Sequence, residues 1–315
     1  MELIRGIHNL KKKFFHSIVT IGNFDGIHLG HQKIFSSACE IRKKNNIPII
    51  LILFEPQPLE FLKIKPLPKR LTILREKIKY LSLWKINYIL CIKFNSFFAS
   101  LSPEDFIINI LINKLCMRFI IIGDDFRFGS KRHGNISLLE NIGKKNNFQV
   151  IKIASMNYLN IKISSTNIRN ALSNDNIVLA NKLLGRSFSL SGTVIHGNAI
   201  GRLLGYPTAN ISLNNNCALN NGVYAITAHV PKNKNLIGIA NIGVKLYQEK
   251  KKRILEVHLF NINLNLYEKK IEIIFHKKIR NEKIFSSLEK LKNQISRDII
   301  KVKIYFKKYS NFIKK

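Results

Sequence analysis

The sequence predicts an α/β chain in two parts: a doubly wound parallel α/β domain over residues 1–185, then a small antiparallel β-barrel over 186–315 that ends in a helix. Three observations carry this. Apolar runs alternate with helix-period segments in the first half, short β-type runs follow one another after Leu184-Gly185-Arg186, and one long amphipathic stretch closes the chain. At 315 residues two domains are the better expectation, and 46% apolar residues suffice to fill their cores.

Ser17-Ile18-Val19-Thr20-Ile21 supplies a strand at Ile18–Ile21, and the helix after it carries Ile34, Phe35, Ala38 and Ile41 on one face. Pro48–Phe54 is a β-branched run and reads as a buried strand. Leu71–Trp84 reads as helix and Tyr88–Ile92 as strand; Pro103 starts a helix that runs to about Leu115. Phe119–Ile122 and Gln149–Ile153 are further strands. Strands separated by helices pair in parallel through right-handed crossovers, so ligands are expected beyond their carboxyl ends. In the second part, strands are expected at Ser189–Ile195, Val223–Val230, Ile237–Asn241, Ile254–Phe260 and Lys270–Phe275. Turns such as Asn220-Asn221-Gly222 and Pro231-Lys232-Asn233 divide them, which points to a closed barrel. The final helix, from about Ser286 to Lys307, places Leu288, Leu291, Ile295 and Ile299 on one face.

The net charge of +33 comes from lysine spread over the whole chain, as in Arg42-Lys43-Lys44-Asn45-Asn46, and reads as a bias toward AT-rich codons. A nucleic-acid footprint would cluster with interleaved aromatics, so nucleic acid is not an expected partner, while small anionic ligands are favoured. The longest apolar stretch, Ile47 to Phe54, falls far short of the ~20 residues of a membrane span. Met1-Glu2-Leu3-Ile4-Arg5 lacks a signal-peptide core, and a cytoplasmic protein away from the membrane is expected. Cys39, Cys91, Cys116 and Cys217 form no CxxC pair and are expected to be reduced, mostly buried thiols.

Gly22-Asn23-Phe24-Asp25-Gly26-Ile27-His28-Leu29-Gly30-His31 is the most informative stretch. A strand that ends in spaced glycines and feeds a helix suits an anion, because backbone N–H groups and the positive end of the helix dipole face the same cavity. His28 and His31 add donors for phosphate oxygens; two histidines without a third ligand make a poor metal site. Ile163-Ser164-Ser165-Thr166-Asn167-Ile168-Arg169 puts three hydroxyls at the head of a helix with an arginine in its first turn. Alone it reads as an ordinary N-cap; beside the histidines it supplies donors to a triphosphate.

Together these segments resemble the HxGH nucleotidyltransferases. With Phe54-Glu55-Pro56-Gln57-Pro58 and Gly123-Asp124-Asp125-Phe126-Arg127-Phe128-Gly129, nearly the whole chain is similar to the bacterial bifunctional riboflavin kinase/FMN adenylyltransferases, the FAD synthetases. The resemblance implies phosphorylation of riboflavin to FMN by ATP, then adenylylation of FMN to FAD with release of pyrophosphate. It assigns His28, His31, Ser164, Ser165, Thr166 and Arg169 to ATP phosphates, with Asn23 and Asp25 shaping the nucleotide pocket. Pro56, Pro58, Asp125, Phe126 and Phe128 fall to the flavin.

The stretch from Gly192 to Asn210 holds glycines and ends in Pro207-Thr208-Ala209-Asn210. By itself it is a glycine-rich barrel hairpin; in this setting it resembles the riboflavin kinase signature. That likeness implies Gly197, Gly201 and Gly205 over the ATP phosphates and Thr208 and Asn210 as oxygen ligands of Mg²⁺. Leu255-Glu256-Val257-His258-Leu259 is a strand with Glu256 and His258 on one face. A strand glutamate is ordinarily solvated, and the family match makes Glu256 the general base, with Arg280 contacting flavin or nucleotide. The chain departs from the family at Val244-Lys245-Leu246-Tyr247-Gln248, where a Pro-Thr pair is usual after Asn241-Ile242-Gly243. It departs again at Leu266-Tyr267-Glu268, where the family has Leu-Tyr-Gly. The first departure keeps open a second reading: an FMN adenylyltransferase with a degenerate kinase domain.

Overall fold

The computed structural model describes the chain apart from residues 12–15, 198, 214–216, 232, 248–249, 263 and 314–315. Lys232 and Gln248, which figured in the turn and the departure above, thus lie outside the described residues. The chain forms two compact units, Met1–Pro68 with Thr72–Ser165 and Lys69–Leu71 with Thr166–Lys315.

The first unit is built on β1 (Glu2–Arg5), β2 (Ile18–Ile21), β3 (Ile49–Phe54), β4 (Tyr88–Ile92), β5 (Phe119–Gly123) and β6 (Gln149–Ile153). They pair in parallel in the order β1-β4-β3-β2-β5-β6, and β7 (Asn157–Tyr158) and β8 (Ile161–Lys162) form a separate antiparallel pair. Side chains alternate across a strand, and here both faces are covered, which is why these strands read as unbroken apolar runs. Val19, Ile50, Ile52 and Leu90 pack with Phe106, Ile110 and Leu111 on one face. Ile18, Leu51, Leu53 and Ile89 pack with Ile34, Phe35 and Leu81 on the other. Successive connections leave β2 and β5 in opposite directions across the sheet, so the carboxyl ends of these two strands form the crevice.

Two helices differ from expectation. The one expected over Leu71–Trp84 spans only Leu74–Leu81, because Thr72 is buried and bonded to the loop after β2. The one expected from Pro103 has a single α-turn, Pro103–Asp105, and then widens to a π-helix over Phe106–Ile112. β1 carries no periodicity in four residues and is recognisable only by its pairing with β4.

The second unit holds a closed barrel of β9 (Ser189–Ile195), β10 (Ala209–Leu213), β11 (Gly222–Val230), β12 (Asn233–Tyr247), β13 (Lys250–Leu259) and β14 (Lys270–Arg280). The antiparallel order is β10-β13-β12-β11-β14-β9. Five of the six strands were expected from the sequence; β10, which closes the ring, sits where the glycine-rich segment ends. The helices Ser165–Ser173 and Ile177–Leu184 pack into this unit, almost wholly in the first case. Lys278 Nζ meets Asp175 Oδ2 at 2.8 Å, and Asn220 Nδ2 donates to the Ser173 carbonyl at 2.7 Å. The closing helix, Leu288–Ile313, buries Ile299, Val302 and Phe306 against Val223, Ala225 and Ile239.

His276 on β14 lies under this helix, its Nε2 2.9 Å from Thr227 Oγ1 and its ring 5.1 Å from that of Phe306. Burial pushes its pKa down to about 4. An unfolded histidine binds a proton near pH 6.5 and the folded one does not until about pH 4, so stability is lost as pH falls through that window. The loss is expected to reach about 1.4 kcal/mol per pH unit. Denaturant unfolding measured from pH 7 to 4 should show a shallower decline for His276→Gln than for the unsubstituted chain.

Candidate active sites

The loop after β2 folds back on itself through left-handed residues: Phe24 at φ 44°, Gly26 at 83° and Ile27 at 46°. Such a φ is costly for a β-branched residue. The cost is offset because Phe24 and Ile27 are both 2% exposed within the core under the sheet. A second anchor is polar. Asp25 Oδ1 accepts from Thr72 N–H at 2.9 Å and Thr72 Oγ1–H at 3.1 Å, and Thr72 Oγ1 accepts from Gly26 N–H at 2.9 Å. Asp25 thus shapes the loop. The glycine amides are partly committed as well, since Gly22 N–H donates to the Ile52 carbonyl at 3.1 Å.

His28 caps the helix Leu29–Asn45, its Nδ1 accepting from His31 N–H at 3.4 Å. The two imidazoles stack with centroids 3.6 Å apart and planes 19° apart. Desolvation, the neighbouring His28 and the buried Lys77 hold His31 well below the usual imidazole range, so it is neutral at pH 7. Its buried Nδ1 has no hydrogen-bond partner among the described residues. Asn23 lies half-buried in the same loop.

Ser165 Oγ donates to the Asp25 carbonyl at 2.8 Å, which ties the serine pair to the histidine loop; Ser164 is half-buried beside it. Thr166 is exposed on the same helix, and Arg169 Nε donates to the Lys69 carbonyl at 2.6 Å. The flavin-assigned residues follow β3 and β5. Pro56 and Pro58 flank Gln57, and Pro58 opens a short helix to Phe61. β5 ends at Gly123, so Phe126 and Phe128 lie in the loop beyond it and do not alternate along a strand. Their rings stack with centroids 5.5 Å apart. Phe128 is a core residue packed on Phe106, while Phe126 is only partly covered. Asp125 is exposed and pairs with Lys162 at 2.8 Å.

In the barrel unit the assigned residues converge. A cavity of about 290 Å³ is lined by Thr208, Asn241, Glu256, His258 and Arg280, with apolar walls from Val223, Ile239 and the closing helix. A larger one of about 790 Å³ is lined by Val194, Arg202, Pro207, Thr208, Leu259 and Tyr267. Thr208 borders both. Asn210 pairs with Glu256 across β10 and β13, and Gly197 lies against the Asn210 amide. A Cβ on Gly201 would stand 2.5 Å from the Tyr206 carbonyl and 3.1 Å from Thr208 Oγ1, so only glycine fits there. Gly205 completes the turn at φ 87°.

Several contributors escaped the sequence reading. Asp298, 1% exposed on the closing helix, accepts from Arg280 Nε at 2.7 Å and Gln294 Nε2 at 2.8 Å. Asn241 Nδ2 donates to Glu256 Oε2 at 3.1 Å. His258 Nδ1 donates to the Pro207 carbonyl at 2.8 Å, next to Thr208. The spacing Glu256-Val257-His258 hinted at the last; no local signal marks a partner on another strand. Of the two departures, the first simply continues β12, with Val244 opposite Arg253 and Tyr247 opposite Lys250. The second keeps its turn, with Glu268 at φ 62° and its N–H donating to the Val194 carbonyl at 3.0 Å.

Thr72 makes three bonds in a dry setting, two of them through its hydroxyl. Thr72→Val removes both hydroxyl bonds from this buried loop and is expected to lower stability by about 1–3 kcal/mol. Chemical denaturation of the full chain measures this.

A family model described as FAD synthetase matches residues 10–167, and one described as riboflavin kinase matches residues 184–306. A bifunctional riboflavin kinase/FMN adenylyltransferase of Buchnera aphidicola subsp. Schizaphis graminum is 66% identical, covering 97% of this chain and 99% of its own. The protein of that description from Escherichia coli K12 is 42% identical over 97% of this chain and 98% of its own. Among solved structures, one described as a macrolide-efflux protein from Streptococcus pneumoniae superposes with a TM-score of 0.83 and 28% identity, covering 96% of this chain and 98% of that one. No helix among the described residues is long and apolar enough to cross a membrane. Two family models in series and full-length relatives at these identities show that the chain belongs to the bifunctional riboflavin kinase/FMN adenylyltransferases, which make FMN and then FAD.

Proposed function

We propose that riboflavin is phosphorylated across Thr208, with residues 186–315 as the kinase, and that the histidine loop transfers the adenylyl group, with residues 1–185 as the adenylyltransferase. The observation that carries the kinase assignment is that Thr208 borders two cavities, one of which also holds Glu256. An acceptor in the smaller cavity and ATP in the larger one would then meet at this residue. Glu256 takes the proton of the ribityl 5′-hydroxyl as its oxygen bonds to the γ-phosphorus, and the bond to the ADP oxygen breaks. Arg280, steadied by Asp298, contacts the flavin, while Gly197, Gly201 and Gly205 bring backbone close to the ATP phosphates.

Mg²⁺ fits here by the chemistry of its donors. Thr208 offers a hydroxyl oxygen and Asn210 an amide oxygen, both hard ligands; Asn210 lies on β10 opposite Glu256, and Thr208 immediately precedes that strand. The ion neutralises phosphate charge when bound.

In the first domain, an FMN phosphate oxygen bonds to the α-phosphorus of ATP as pyrophosphate leaves; no protein nucleophile is needed. A neutral His31 can give one N–H to a phosphate oxygen, and its unpartnered Nδ1 supports that role. His28, Ser164, Ser165, Thr166 and Arg169 complete the phosphate contacts, with Asn23 and Asp25 shaping the pocket. Pro56, Pro58, Phe126 and Phe128 border the flat ring, and Asp125 assists. We place the enzyme in the cytoplasm, where the free Cys39, Cys91, Cys116 and Cys217 remain reduced.

His28→Ala or His31→Ala is expected to stop FAD formation while FMN accumulates from riboflavin and MgATP. Glu256→Gln should lower FMN formation by about 10²–10⁴-fold and leave adenylylation of supplied FMN intact. Chromatography of the flavins reads both. A single change that abolished both reactions in folded protein would refute this division.

A further inference from the structure

Three polar residues share one rung of the barrel wall. Glu256 on β13 stands directly opposite Asn210 on β10 and Asn241 on β12. Opposed residues of antiparallel strands present their side chains on the same face, so the three amide and carboxyl groups lie side by side. One step along, Ile211 with Leu255 and Leu255 with Ile242 turn to the opposite face and are buried and apolar. The Asn241 side chain is oriented by a bond, its Nδ2 donating to Glu256 Oε2 at 3.1 Å, and both residues line the smaller cavity.

We propose that Asn241 is a positioning residue for phosphoryl transfer: its amide holds the Glu256 carboxylate in the one orientation that meets the acceptor hydroxyl. This rests on the reading of Glu256 as the base. A glutamate has three side-chain torsions, and on an open wall it samples several rotamers. A charge-assisted bond from a neighbouring strand removes that freedom, and β-sheet register makes the donor rigid. Asn241 does this from outside the reacting atoms. The proton still passes from the ribityl oxygen to Glu256, and no atom of Asn241 is consumed.

An alternative role for a half-buried amide in a flavin cavity is to bind the substrate or merely fill space, and the three roles separate kinetically. Asn241→Asp keeps the shape but loses the donor and faces Glu256 with a second carboxylate; Asn241→Leu loses the donor and keeps the volume. Both are expected to lower kcat for riboflavin phosphorylation by about 10- to 100-fold, with KM for riboflavin and ATP within about twofold. Quenching of riboflavin fluorescence by the full-length variants should show an intact cavity. Wild-type turnover in Asn241→Asp would overturn the proposal, as would losses confined to KM for riboflavin. Glu256→Gln is run alongside. If it is inactive while the Asn241 variants turn over normally, only the positioning role fails; if it is fully active, the base assignment fails and this role with it.

Discussion

A parallel sheet covered on both faces can offer a ligand only the ends of its strands, and the first active site depends on that constraint. Ile18, Val19, Ile50 and Leu51 are all fully buried, so no polar chemistry can sit on the sheet's faces. The histidine loop leaves β2 at the edge of the crevice and must turn at once to reach the helix behind it. It does so through left-handed residues whose side chains are sunk in the core, and through Asp25 and Thr72, which satisfy one another. Most of the loop's polar groups are therefore spent on holding its shape. What it presents outward is the start of a helix and two stacked imidazoles, one of them kept neutral by burial.

The barrel solves the opposite problem. Its strands close on themselves, leaving no edge, and the ligand space lies where side chains from adjacent strands line up. Antiparallel register brings Asn210, Glu256 and Asn241 together from positions up to 46 residues apart in sequence, as residues 210 and 256 are. The closing helix completes the smaller cavity and supplies Asp298 to Arg280. A rigid wall with one shared threonine separates two spaces, which suits a reaction in which a phosphoryl group moves a few ångströms between two bound molecules.

Much of this was legible in the chain itself, for identifiable reasons. Buried strands such as Ile18–Ile21 and Tyr88–Ile92 end where their apolar runs end, so their bounds could be read directly. Bounds were missed where other forces decide. Lysine-rich text hid the outer half of the β12–β13 hairpin, which is extended by cross-strand pairing. β10 was concealed within a motif valued for its glycines. The family resemblance, not the spacing, assigned Phe126 and Phe128 to the flavin, and only the structure shows that Phe128 also packs on Phe106 in the core.

Sequence by itself determined the fold class of both parts, the order of the two chemistries along the chain and the residue types available for each, because periodicity, turn residues and local motifs are short-range properties. Only the tertiary structure decided how those residues are used. That Asp25 is a brace for its own loop, that Thr208 borders two cavities and that Asn241 reaches Glu256 all depend on strand register and loop packing. These bring together residues that no local pattern connects, because a contact between distant segments is set by the packing of the whole unit.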